Sequence, residues 1–462
     1  MKRFINTIKN IYHIEELRKR ILYTLGIVLI YRIGSYIALP GVDVHALAAT
    51  NFTSGSREGL LGLLDMFSGG GFSHASIFAL GIMPYISASI VVQLMTLVVP
   101  YFQRLQKEGE SGRKKINQLT RFLTILVTMV QAPAYIANLI NQTGGTASGV
   151  FHSITGQPIG AGTIPFSFIF VSVVILVCST LFIMWLGERI TEKGIGNGIS
   201  LLIMVGIIAR LPFALSAEFA SKVAETGNGG LVVFLLELLL LVAVILVTIL
   251  LVQGTRKVPV QYAKRIVGNK QYGGQRQYLP MKVNAAGVMP IIFAQAIMFL
   301  PLTIMGFATP SETMSRFASA MTDHTGFWYN FVFAILIVAF TYFYTAITFN
   351  PTQIAEDMKK NGGFIPGIKP GKKTVEFIDN IISKITLPGS IFLAFVAIMP
   401  SFARIFGINT QFAQFFGGTS LLIMVGVVLD TLQQIESHLL MRHYDGLTKT
   451  GRIKGRTPLP VS

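Results

Sequence analysis

Few residues of this chain stand where covalent chemistry could be done. The histidines His13, His45, His74, His152, His324, His438 and His443 fall in loops or at the ends of apolar runs, and none opens an H-E-x-x-H pair that would hold zinc. No serine occupies a G-x-S-x-G elbow. Gly194-Ile-Gly-Asn-Gly198 has the glycine spacing of a phosphate-cradling loop but neither the following Lys-Ser/Thr nor a preceding strand, so a helix start or a close-packing turn fits it better. The single cysteine, Cys178, leaves no disulfide framework and reads as a packing residue. The ionisable residues inside apolar stretches are Arg32, Glu237 and Asp430; an ion relay would need a partner for each, and the sequence names none. Nothing here forms a catalytic constellation, and no cofactor or metal is implied.

The elements that carry these residues are membrane spans. The chain has 462 residues, 52% hydrophobic and only 13% charged, with a mean hydropathy of +0.60; soluble domains carry about twice that charge fraction. Apolar runs near the ~20 residues that cross a bilayer lie at 21–39, 76–100, 121–140, 164–186, 199–216, 231–252, 285–306, 328–349, 387–407 and 418–439. The predicted architecture is therefore an all-α membrane protein of ten transmembrane helices. Trp185 and Trp328 fall at span ends, where an amphipathic ring prefers the headgroup level.

Charge fixes the orientation. Of the 38 lysines and arginines, 32 fall on one side of the alternating spans and five on the other, with Arg32 inside the first span. By the positive-inside rule both termini are cytoplasmic, and the net charge of +17 is mostly a topology signal. A nine-span chain, suggested by Arg210 and Pro212 interrupting the fifth run, would break this alternation. No cleavable signal is evident, because the first apolar run begins only near Ile21 and carries Arg32. Residues 1–20 place Phe4, Ile8, Ile11, Ile14 and Leu17 at helical spacing, which suits either an amphipathic surface helix or a cytoplasmic extension of the first span.

One span is broken. Residues 59–95 run from a short apolar helix through Gly69, Gly70 and Gly71 into a full apolar span. Non-helical backbone survives at membrane depth only when buried in protein or lining a wet cavity, so this interruption points to a pathway. Five spans per half also place the two halves in opposite orientation, as in an inverted repeat with a pathway between them. A solute transporter on such a repeat would need a midplane substrate site, which the spans do not offer.

The motifs FALGIMPYISASI at 78–90, GERITEKGIGNGIS at 187–200, KVNAAGVMP at 282–290, FNP with GGFIPGIKPG within 349–371 and GGTSLLI at 417–423 resemble the bacterial SecY family, the central subunit of the protein-conducting Sec translocon. The resemblance runs from first span to last. It implies an N-terminal half at 21–216 and a C-terminal half at 231–439, related by an inverted pseudo-twofold, with an external hinge loop at 217–230, a cytoplasmic helix at 1–20 and a tail at 440–462. It makes residues 60–71 the plug, here Leu60, Leu61, Leu63, Leu64, Met66, Phe67 and Gly69 to Gly71. It places Gln93 on the lateral gate, where a polar residue would tune opening; an ordinary interhelical hydrogen bond is the other reading.

An apolar constriction dewets when empty and offers a polypeptide no strong binding site. Ile82 and Ile86 are four apart, as are Ile199 and Ile203; with Ile292 and Ile423 they match the family's pore ring, and Met289 is a neighbour. The long cytoplasmic loops 254–283 and 350–386 carry Arg256, Lys257, Lys264, Arg265 and Lys369, cations suited to ribosomal RNA phosphates. Family membership would add the SecA motor at the same loops, SecE- and SecG-type subunits, signal peptides and nascent chains as partners, and the bacterial cytoplasmic membrane as location. Lys369 stands where the family pattern usually has arginine; it keeps the charge but lacks the planar fork.

Overall fold

The computed structural model describes residues 14–48, 62, 65–142, 150–151, 165–226, 230–262, 265–267, 270–272, 276–284, 286–295, 297–298 and 326–450. Leu60, Leu61, Leu63, Leu64 and Lys264 lie outside them. The long helices are α1 (Glu15–Gly34), α2 (Met83–Val98), α3 (Pro100–Lys107), α4 (Glu110–Gln142), α5 (Phe166–Lys193), α6 (Gly198–Thr226), α7 (Gly230–Gln253), α8 (Phe327–Thr348), α9 (Pro351–Lys360), α10 (Lys372–Ile405) and α11 (Gly418–Thr450). Among the described residues seven helices are long and apolar enough to cross a membrane, and eight if α2 and α3, bent by 100° at their junction, count as one. The chain is a multi-pass membrane protein. α7 shows why: its buried residues Gly230, Glu237, Leu241 and Thr248 form one narrow stripe, while leucines such as Leu239 and Leu250 are 71% exposed to the surroundings.

Boundaries differ from the hydropathy pattern where charged residues continue a helix. Residues 15–20 form one unbroken helix with the first span, as a cytoplasmic extension would. α6 continues past the predicted end at 216 to Thr226, because Ala-Glu-Phe-Ala-Ser-Lys keeps helical propensity in spite of its charges. α2 starts only at Met83, and residues 68–82 are turns. Cys178 is exposed on the outer face of α5 rather than packed inside the protein.

The all-α expectation needs correction at the basic loops. β1 (Thr255–Tyr262) and β4 (Arg276–Lys282) form an antiparallel hairpin, with β2 (Arg265–Val267) paired to β3 (Lys270–Tyr272) between them. β5 (Gly363–Phe364), from the second basic loop, adds to β1 to give the order β4-β1-β5. Val258 and Val260 alternate inward and pack with Met281, Ala355, Met358, Ile365, Ile378, Ile381 and Ile385 in a small core of their own. α10 therefore begins fifteen residues before the predicted ninth span, and Val375, Ile378 and Ile382 recur at helical spacing along that extension.

Candidate functional site: an isoleucine cluster and an arginine-held segment

The six predicted isoleucines converge. Ile82, Ile203 and Ile423 are buried at 3%, 5% and 5% exposure in one apolar cluster, and Ile86, Ile199 and Ile292 are partly buried against it. They come from the turn before α2, from α2, α6 and α11, and from the segment 286–298. Ile82 is the N-cap of α2 rather than a residue within it, yet Ile86 N–H donates to its carbonyl at 3.1 Å, so the two stay one helical turn apart. Met289 is partly buried, between Val288 and Ile292, which pack against the cluster. Met66 and Phe67 belong to the same cluster, so the glycine-rich segment shares its apolar core with the six isoleucines.

That segment is held by polar bonds from several directions. Gly69 and Gly70 have φ of +67° and +96°, in the left-handed region that glycine enters without a Cβ penalty. Asp65, 3% exposed, accepts Ser73 N–H at 2.8 Å through its carboxylate and Gly70 N–H at 2.8 Å through its carbonyl. Arg210 of α6 donates from Nη2 to the Asp65 carboxylate and, at 2.7 Å, to Ser73 Oγ. Arg32 of α1 donates from Nη1 to Gly69 O at 2.6 Å and from Nη2 to Tyr36 Oη at 2.9 Å. Gly206 of α6 leaves room for this backbone: a Cβ there would lie 2.9 Å from Phe67 O and 3.2 Å from Gly69 N, and a Cβ at Gly69 would lie 3.1 Å from Gly206 Cα. Arg32 thus has the partner the sequence could not name. Asp65, Ser73 and Arg210 were not singled out as a site; the available signal was a lone carboxylate and a lone guanidinium in two apolar stretches.

Glu237 is also partnered, against the expectation. It faces inward on the α7 stripe, with Oε1 3.5 Å from Lys222 Nζ; Lys222 also lies 3.6 Å from Glu218 Oε1, one turn earlier on α6. Lys222 donates to Gly407 O at 2.7 Å and Asn409 N–H donates to Glu218 Oε2 at 2.9 Å. This buried cluster ties α6, α7 and the turn after α10 together. Asp430 is exposed on α11. Gln93 is half-buried, and its Oε1 has no hydrogen-bond partner among the described residues, so that oxygen makes no interhelical bond. Arg256, Lys257 and Lys369 are exposed around the three-stranded sheet, and Arg265 lies on β2.

In the turn at 194–198 the N–H groups of Gly194, Ile195, Gly196 and Gly198 are all engaged within the protein rather than facing a phosphate. Ile195 N–H donates to Thr24 Oγ1, Gly196 N–H to Gln434 Oε1 at 2.8 Å and Gly198 N–H to Thr191 Oγ1 at 2.9 Å, so it locks α5 and α6 onto α1 and α11. A Cβ at Gly198 would sit 2.0 Å from Gly187 O, a backbone atom that cannot give way. Gly198→Ala is expected to destabilise the protein by about 3 kcal/mol, read as a lower thermal unfolding midpoint in detergent; an unchanged midpoint would contradict the close packing of this turn.

The sequence model of the family described as SecY matches residues 76–432. The protein translocase subunit SecY of Streptomyces coelicolor is 42% identical over 439 residues, covering 94% of this chain and 97% of that protein. The subunit of the same name from Chlamydia trachomatis is 39% identical over 457 residues, covering 97% and 99%. Among solved structures, one described as a protein conducting channel superposes with a TM-score of 0.62 at 17% identity, covering 94% of this chain and 95% of that one. Sec61 from the canine ribosome-channel complex of the endoplasmic reticulum gives 0.60 at 16% identity, with the same coverage. With the family's sequence model matched over residues 76–432 and its relatives matched over nearly their whole length, the chain belongs to the SecY family.

Proposed function

We propose that this chain is the channel subunit of a bacterial Sec translocon, passing unfolded secretory polypeptides across the cytoplasmic membrane and releasing transmembrane segments sideways into lipid. The observation that carries the reading is the gathering of six isoleucines with Met66 and Phe67 in one apolar cluster. A ring of that chemistry excludes water and ions when empty and slides past a polypeptide without binding it. The glycine-rich segment is the plug on the outer side of this ring, and Gln93 belongs to the lateral gate.

Ten spans in two inverted halves are supported by α1, α2, α4 to α8, α10, α11 and the helical turns within 286–298. The charge asymmetry supports cytoplasmic termini. On that side the β4-β1-β5 sheet presents Arg256, Lys257 and Lys369 toward partners, in keeping with a ribosome or SecA docking there. SecE- and SecG-type subunits complete the assembly. The channel performs no chemistry of its own, and the driving energy comes from the translating ribosome or from SecA with ATP, assisted by proton-motive force.

Deleting residues 60–71 tests the plug. In proteoliposomes the deletion is expected to retain precursor export while raising the resting ion leak; an unchanged leak in an assembled channel would contradict the plug assignment. One solved relative is described as having a plug domain that stabilizes the closed state and maintains a membrane seal.

A further inference from the structure

We infer that Arg210 and Arg32 are positioning residues that latch the plug shut, with the Asp65–Arg210 ion pair as the element that must break for the channel to open. The inference rests on reading residues 60–71 as the plug, and goes beyond it by naming what holds that segment in place.

Three observations carry it. First, the pair joins two parts far apart in sequence: Asp65 lies in the glycine-rich segment and Arg210 near the middle of α6, and both side chains are largely withdrawn from solvent, at 4% and 13% exposure. Second, the carboxylate has two tasks. One oxygen caps Ser73 N–H within its own segment and the other receives Arg210, while the same guanidinium nitrogen also reaches Ser73 Oγ. A shift of the segment away from α6 therefore breaks the Arg210 bonds together, whereas the internal fold of residues 65–73 is kept by bonds that travel with it. Third, Arg32 approaches from α1 and holds Gly69 O, so two helices grip the segment through cations and through carbonyl and carboxylate acceptors. A Cβ at Gly70 would lie 3.0 Å from the Arg210 guanidinium, which shows how closely that group is seated against the backbone.

The remaining contacts of the segment with the ring, through Met66 and Phe67, are apolar and non-directional. Apolar contact alone favours occupancy of the funnel without fixing one position. The charge pair supplies the direction. It is also reversible, because both groups regain water once the segment has moved out, whereas removing one partner leaves the other buried and uncompensated.

The test uses the whole chain reconstituted with its SecE-type partner, and measures resting ion conductance per channel and precursor export in wild type, Arg210→Gln, Asp65→Asn, the exchange Asp65→Arg with Arg210→Asp, and the 60–71 deletion. Arg210→Gln and Asp65→Asn are expected to raise resting conductance at least tenfold, a change well within the cost of leaving one partner of a buried pair uncompensated, while export continues. Combining Asp65→Asn with Arg210→Gln should add little to either single change, since both break the same bond. Restored sealing in the exchange variant supports the latch further. If the deletion leaks and the single variants seal like wild type while remaining assembled, the latch is wrong and the plug assignment stands. If the deletion itself does not leak, the plug assignment falls and the latch with it. A purely structural role predicts lower thermal stability with unchanged conductance per channel, and that result would overturn the inference.

Discussion

Asparagine in place of Ile82, Ile203 or Ile423 is expected to make the closed channel leak ions at least tenfold more than wild type. Of the six isoleucines proposed for the ring, these three are the buried ones, and all six belong to or pack against one cluster. An isoleucine side chain prefers an apolar surrounding by about 2 kcal/mol, and an amide without a partner there disfavours dryness by about 1–3 kcal/mol more. A change of about 1.4 kcal/mol already shifts a wet–dry equilibrium tenfold, so a single substitution suffices. Valine at the same positions keeps the chemistry and should keep the seal. Single-channel or vesicle conductance reads the effect, with precursor export as the check that the channel is intact. Unchanged conductance in assembled asparagine variants would mean that these residues are ordinary helix packing.

Replacing Lys222 by methionine should be the most destabilising single change where α6 meets α7 and the turn after α10, by about 3–5 kcal/mol. Lys222 places its ammonium between two carboxylates, Glu218 at 0% and Glu237 at 6% side-chain exposure, and its loss leaves both buried without it. Glu237→Gln should be far milder, because it removes the carboxylate in excess and leaves Lys222 with Glu218 and Gly407 O. Thermal unfolding in detergent measures the difference; equal effects of the two changes would contradict this account of the cluster. The same residues also address transport coupling. Export abolished by Glu237→Ala or Asp430→Ala, with the channel still assembled, would favour an ion-coupled mechanism; the present reading expects export to persist.

Much of this protein could be read from residue order alone, and the limits have physical causes. Spans are set by local hydropathy, so α7 and α8 fall within a residue of their predicted places, and α5 and α11 start within two residues of theirs. Helix ends depend on propensity as well as hydropathy, which is why α6 runs on to Thr226 and α10 begins at Lys372. The sheet at the basic loops had a signal in the alternation Lys257, Val258, Pro259, Val260, but pairing of β1 with β5 across about a hundred residues has no local signature. The ring isoleucines come from separate stretches and were gathered only through the family's motifs. Long-range ion pairs are the least legible: Arg32, Asp65, Arg210, Lys222 and Glu237 look like isolated charges until the helices are packed, and then each has a neighbour at bonding distance.

The most direct test of the central claim is protease-protected accumulation of a precursor protein in vesicles holding this chain with its SecE-type partner, driven by SecA and ATP. The account predicts accumulation that depends on an intact signal peptide. No precursor transport with any partner combination, accompanied by flux of a small solute, would contradict it.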